Sequence, residues 1–284
     1  MSELIDNNHI LPHRLFAMIG VVNQFPRIKR EDLLNLVQPT AENQETSKNT
    51  FLKCQLCGLI QVSEGSEKRT TLAVDPKVAT DFEAFRAHMQ STLLGVTEES
   101  QNHFILNQFT AWYAVNDQWV VETNKADWEV KFNDHLYPHE RERVINEHPG
   151  ITTWIAWADF LGWGWPIKFG TQQTRLVPDC TLRLRPLISA LLPEDSFIPY
   201  GVFAKRLADR CPELDGGLLF KQCLMAAFPH ERRGNRLSLM LSTALRVLHE
   251  QGHIVLEKRA DATETWTLFP AQTYHNQITH IRRG

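Results

Sequence analysis

One arrangement occurs near each end of the chain and constrains its fold more than any other feature. A helical run closes on a glycine, and two short β-rich runs separated by a polar turn follow. Near the N-terminus the helix and first β-run extend from Phe51 through Gly58 to Val62, the turn covers Glu64 to Arg69, and the second run is Thr70 to Val74. Near the C-terminus the helix and first run extend from Leu241 through Gly252 to Leu256, the turn passes through Arg259 to Ala262, and Thr263 to Phe269 follows. Helix, glycine cap and hairpin is the ending of a winged helix. The expected fold is therefore mostly α, with two winged-helix units (helix-turn-helix plus β-hairpin) flanking a helical middle region.

The intervening punctuation divides the chain at 1–75, 76–175, 176–270 and a polar tail, 271–284. In the first unit, Leu15, Phe16, Ile19, Val22 and Phe25 recur at helical spacing between Pro12 and Pro26. A second helix over Lys29 to Val37 turns Leu33, Leu34 and Val37 inward. A third, capped by Ser47 and reaching Cys57, is expected to pack through Leu52 and Leu56. The middle reads as helices carrying Phe82, Phe85, Met89 and Leu93, then Phe104, Phe109, Trp112 and Tyr113, then Ala126 to Leu136. A buried helix follows over Thr152 to Leu161, and Thr174 to Val177 reads as a short strand. In the last unit, Asp179 caps a helix over Cys180 to Leu192 that Pro186 interrupts. Helices over Tyr200–Arg210, 216–228 and 237–251 follow.

Charge is uneven along the chain. The net formal charge of −3 divides into −1 over residues 1–75, −6 over 76–150 and +4 over 151–284. Any nucleic-acid surface is therefore expected in the C-terminal half, facing away from the acidic middle. No apolar run approaches the roughly 18 residues that span a bilayer. Residues Met1 to Asn8 lack the cationic start and apolar stretch of a signal peptide. Five cysteines, an odd number, fit a reducing compartment. A cytoplasmic chain without membrane contact is expected.

Several patterns invite a chemical reading. Cys54-x-x-Cys57 lies at a helix end, where the dipole has the wrong sign to stabilise a thiolate, and Cys180, Cys211 and Cys223 are scattered, so packing is preferred over redox or zinc chemistry. The pairs His9/His13 and His135/His139 have no Glu between them in the manner of a metalloprotease helix, and Pro138 breaks the second. Pro178-Asp179 is followed by no acid-x-Lys pattern, so a helix cap is preferred over a nuclease core. Gly216-Gly217 lacks a downstream Gly-Lys-Ser/Thr, and no Gly-x-Ser-x-Gly elbow occurs. Trp154, Trp157, Trp163 and Trp165 are interleaved with a single charge, Asp159, which suits an interior joint better than a base-stacking face. No catalytic residue, metal or cofactor is expected.

The run Arg232-Arg233-Gly234-Asn235-Arg236 precedes the helix in recognition position of the C-terminal unit. Cations beside helix-start amides make a phosphate site, with Arg246 on the helix and Lys258 and Arg259 on the wing. The plainer alternative is a solvated loop paired locally with Glu231.

Three groups of residues also resemble a known family. They are Leu11-Pro12, Arg30-Glu31-Asp32-Leu33-Leu34 and Leu56-Cys57-Gly58-Leu59; Trp154-Ile155-Ala156-Trp157-Ala158-Asp159-Phe160-Leu161-Gly162-Trp163; and Leu176-Val177-Pro178-Asp179-Cys180-Thr181 with Leu214-Asp215-Gly216-Gly217. Together they resemble DpdG, a component of bacterial 7-deazaguanine DNA modification and restriction clusters. The resemblance implies a part in a multi-protein anti-phage system that polices DNA, and it transfers no catalytic residue. The expected function is a non-catalytic subunit that touches double-stranded DNA weakly and without sequence preference, and that contacts other subunits. A protein-docking scaffold without DNA contact is the alternative, and an unrecognised enzyme the third reading.

Overall fold

The computed structural model describes residues 4–6, 10–39, 44–63, 68–169, 173–194, 196–231, 233–270 and 276–284. It is mostly helical, with small antiparallel sheets. Helix α1 (Pro12–Gln24) begins with proline, whose missing N–H and fixed φ suit a first turn, and buries Leu15, Met18, Ile19 and Val22. Strand β1 (Ile28–Lys29) leads directly into α2 (Arg30–Val37), and α3 (Glu45–Leu56), β2 (Ile60–Val62) and β3 (Arg69–Leu72) follow. The strands lie in the order β1-β3-β2, with Ile28 opposite Thr70 and Ile60 opposite Leu72. Gly58, at φ +65°, closes α3: the Leu59 N–H donates to the Cys54 carbonyl at 2.8 Å.

The inward face of α3 differs from expectation. Ser47, Thr50, Phe51 and Cys54 are buried at positions i, i+3, i+4 and i+7. Leu52 is 53% exposed and Leu56 42% exposed. The two buried hydroxyls are satisfied within the helix, Ser47 Oγ donating to the Gln44 carbonyl at 3.0 Å and Thr50 Oγ1 to that of Thr46 at 2.8 Å. Polar side chains so paired can be buried at little cost. Phe25 also lies outward, at 55% exposure.

The middle begins with α4 (Pro76–Thr80) and α5 (Phe82–Leu93), whose first amides are capped by Asp75 and Asp81. Helix α6 (Phe104–Val115) is buried from Leu106 onward, and α7 (Asp117–Glu122) and α8 (Lys125–Leu136) pack beside it, the latter started by an Asn124/Asp127 capping box. Helix α9 (Thr152–Leu161) ends at Gly162, φ +83°. There is no room for a side chain there: a Cβ would meet Leu182 at 2.6 Å and the Arg183 backbone at 2.7 Å. Strands β4 (Gly164–Phe169) and β5 (Gln173–Pro178) form a hairpin, Gly164 opposite Pro178. The sequence predicts only the second of these strands, over Thr174 to Val177.

Trp154, Trp157 and Trp163 are fully buried, as expected, whereas Trp165 is 48% exposed. Trp154 Nε1 donates to Thr110 Oγ1 at 3.0 Å on α6, and Trp157 Nε1 to the Ile10 carbonyl at 2.9 Å. The tryptophan segment therefore joins the middle to the N-terminal unit.

Asp179 accepts from the Thr181 N–H at 2.8 Å and so starts α10 (Thr181–Leu184), and a tighter turn at Arg185–Leu187 around Pro186 separates it from α11 (Ile188–Leu191). Strand β6 (Ile198–Pro199), α12 (Tyr200–Arg210), α13 (Leu218–Ala227), α14 (Leu239–Glu250), β7 (Ile254–Glu257), β8 (Trp266–Thr267), β9 (Gln277–Ile278) and β10 (His280–Arg283) complete the chain. Gly252, φ +74°, closes α14 as Gly58 closes α3: the His253 N–H reaches the Leu248 carbonyl at 2.9 Å. The partner of β7 is β10, not Thr263 to Phe269 as expected, with Leu256 opposite Ile281. The tail thus supplies the closing strand of this sheet, and β8 pairs with β9 instead.

The two ends share a topology. In each sheet a two-residue strand leading directly into a helix (α2 or α12) pairs with the last strand, which pairs with the strand after the glycine-capped helix (α3 or α14): β1-β3-β2 and β6-β10-β7. They differ in the added helix α13 between α12 and α14, and in what surrounds the glycine-capped helix. Helix α3 packs on α1, α2 and β2. Helix α14 packs on α10 and β7, and on α7 and β5 of the middle as well, while α13 lies against α6 and α8.

Candidate nucleic-acid interface

The arginine cluster was expected to be an open loop before α14. Arg232 lies outside the described residues. Arg233 is largely buried, its guanidinium 2.8 Å from Asp117 Oδ2, donating to the Val115 carbonyl and lying 5.6 Å over the Phe220 ring. It joins the C-terminal unit to the start of α7 and does not point into solvent. The amides at the start of α14 are occupied too. Asp117 Oδ1 accepts from Leu239 N at 2.7 Å, Asp215 accepts from Ser238 N and Oγ at 2.6 and 2.5 Å, and Ser238 Oγ accepts from Leu241 N at 3.2 Å. Two of the protein's own carboxylates fill the place where a phosphate was expected. Burial pushes the Asp117 carboxyl up to about 6, against the opposing pull of Arg233, and raises that of Asp215.

The remaining cations of that set are dispersed. Arg246 donates to the Phe269 carbonyl at 2.7 Å and to Asn276 Oδ1 at 3.3 Å, holding the end of the β8 segment. Arg259 pairs with Glu257 at 2.9 Å and lies 4.8 Å over the Phe197 ring. Lys258 Nζ donates to Gln277 Oε1 at 2.6 Å and is exposed. Arg236 is exposed, with its N–H on the Arg233 carbonyl at 3.1 Å. Of the described members, Arg236 and Lys258 are the two that stand open.

The N-terminal unit presents a different surface. Glu45, Lys48, Leu52, Gln55 and Leu56 form an exposed face along α3. At its N-terminal end a cleft of about 840 Å³ opens between α2 and α3, lined by Lys29, Arg30, Lys48 and Lys68 together with Glu31, Leu34, Asn35 and Gln44. The Arg30 N–H donates to the Lys68 carbonyl at 3.2 Å, which brings the base of β3 beside the start of α2. The Arg30 guanidinium lies 5.0 Å over the Phe51 ring. The sequence alone does not show this group, because Lys29-Arg30, Lys48 and Lys68 lie about twenty residues apart and gather only when β1 pairs with β3.

The other candidates have structural settings. Cys54 and Cys57 are buried; burial raises both thiols, that of Cys57 to about 12. His135 Nδ1 accepts from Trp112 Nε1 at 3.1 Å, and His139 is exposed. His9 lies outside the described residues. Among the described residues no group of three or more His, Cys, Asp and Glu side chains is placed to hold a metal ion, and no helix is long and apolar enough to cross a membrane.

A family model described as DpdG-like matches residues 1–262, which is most of the chain. No curated protein and no solved structure gives a match.

Proposed function

We propose that this chain, which belongs to the DpdG-like family, is a non-catalytic, DNA-associated subunit of a multi-protein bacterial system that modifies or restricts DNA. The observation that carries the reading is the repeated topology, which we read as two winged helices of unequal use. The N-terminal unit keeps the outer face of its third helix open, beside a cation-lined cleft. The C-terminal unit turns α14 against α7 and β5 and fills the helix-start amides with Asp117 and Asp215. In this reading the first unit meets the duplex, the second holds the molecule together, and partner subunits supply the chemistry. Arg236 and Lys258 constitute the rival DNA face.

Binding of the chain alone should be weak, since its net charge of −3 opposes association with a polyanion. A mobility-shift assay with duplex and single-stranded DNA at low and moderate salt tests the reading. A duplex shift that fades as salt rises is expected, and absence of any shift at low salt removes DNA association.

Leu52 and Leu56 favour a second reading. Two large apolar side chains one turn apart on an open helix suit a protein partner. Co-expression with the proteins encoded beside this one, with and without a Leu52→Asp/Leu56→Asp exchange, separates the two. Loss of a co-purifying subunit without loss of the DNA shift assigns the apolar half of α3 to docking.

A further inference from the structure

The geometry points to the cleft between the starts of α2 and α3 as the place where the phosphates of duplex DNA are held. This rests on the proposal that the chain associates with DNA, and adds where and through which residues. Among the described residues four cations line the cleft against one carboxylate, Glu31. They come from three separate pieces of chain: the junction of β1 and α2, the first turns of α3 and the approach to β3. Lys48 and Lys68 enter no ion pair among the described residues, so both charges are available.

The cleft has supports of its own. Stacking on Phe51 fixes the plane of the Arg30 guanidinium, which leaves less rotamer freedom to lose when an anion arrives. Gln44 Nε2 donates to Asn35 Oδ1 at 2.5 Å and ties the start of α3 to the last turn of α2 across the cleft. The cleft runs along α2 from Lys29 to Asn35 and meets α3 at its start, so the N-terminal dipole end of α3 adds to the positive potential there. The open face of α3 continues from Lys48 through Asn49 to Leu52 and Gln55. A ligand seated in the cleft therefore has an exposed helix running away from it, which suits a long polyanion better than a small one. The corresponding end of α14 offers none of this, because Asp117 and Asp215 already occupy it.

The expected strength follows from counterion release. Three or four phosphate contacts give a slope of log K against log salt of about −3, a loss of roughly 60-fold between about 50 and 200 mM. Fluorescence anisotropy of a labelled short duplex with the full chain reads this directly. The Lys48→Glu/Lys68→Glu variant should weaken binding by roughly tenfold or more and lower the salt slope by about 2. The Arg236→Glu/Lys258→Glu variant should bind as the parent does. Should charge reversal disturb folding by circular dichroism, the Lys48→Gln/Lys68→Gln variant gives the same slope change with a smaller loss. Parent-like binding by the cleft variants, with loss on reversing Arg236 and Lys258, overturns the cleft assignment and leaves DNA association standing. No duplex binding by the parent chain at low salt overturns both.

Discussion

Arg233 and Asp117, 2.8 Å apart, join the segment before α14 to the start of α7. The pair is the hinge pin between the C-terminal unit and the middle. Asp117 also accepts the Leu239 N–H, so one carboxylate holds both the arginine and the start of α14.

Removing one member of a buried pair strands the other. Arg233→Ala should therefore cost about 3 to 5 kcal/mol in denaturant unfolding. An unchanged midpoint would mean that the guanidinium is solvated and the units are joined some other way.

The same carboxylate gives a pH dependence. Its pKa is raised from 3.8 to about 6 in the folded chain, chiefly by burial. The folded state thus binds the proton more tightly than the unfolded state between those values, and this group's contribution to stability falls as pH rises from about 4 to 6. The full effect is about 3 kcal/mol at 1.36 kcal/mol per pKa unit, reached above about pH 6 and absent below about pH 4. Asp117→Asn should flatten the stability profile over that interval, whatever it does to the absolute midpoint. A profile identical in slope to the parent's would place the titration elsewhere.

On α3 the burial pattern makes opposite forecasts for neighbouring positions. Leu56→Asp should leave the unfolding midpoint within about 0.5 kcal/mol of the parent, because exposed positions tolerate charge. Phe51→Ala should cost about 3 to 5 kcal/mol by emptying a core site. The reverse ranking would restore Leu52 and Leu56 to the core.

These contrasts show which parts of the fold were legible beforehand. Local signals sufficed where the chain punctuates itself: Pro12 opens α1, Gly58 and Gly252 close α3 and α14, and the bounds of α9 and α12 follow from their flanking glycine and prolines. The face of α3 was not legible, because hydropathy ranks Leu52 above Thr50 and cannot register a hydroxyl paired within its own helix. The closing strand of the C-terminal sheet was missed because its pairing spans a long separation in sequence. Ile278 and Ile281, the buried apolar residues among the described part of a largely polar tail, were the available signal. For the interface, cations adjacent in sequence drew attention to Arg233, whose charge is spent on Asp117, while Lys29, Arg30, Lys48 and Lys68 converge only through tertiary structure.

Trp157 tests the joint between the middle and the N-terminal unit. It is fully buried, packs edge-on to Phe160 with centroids 5.8 Å apart, and donates to the Ile10 carbonyl. Trp157→Ala should cost about 3 to 5 kcal/mol. Trp157→Phe, which keeps most of the ring and loses the hydrogen bond, should cost less. Equal losses would show that the hydrogen bond outweighs the packing.

The division of labour between the two ends is tested most directly by amide hydrogen exchange on the full chain with and without a short duplex at low salt. Added protection is expected at the start of α2, the first turns of α3 and the beginning of β3, with the segment before α14 and the β7 strand unchanged. Protection confined to the neighbourhood of Arg236 and Lys258, or none anywhere under conditions where the duplex is bound, would contradict the account.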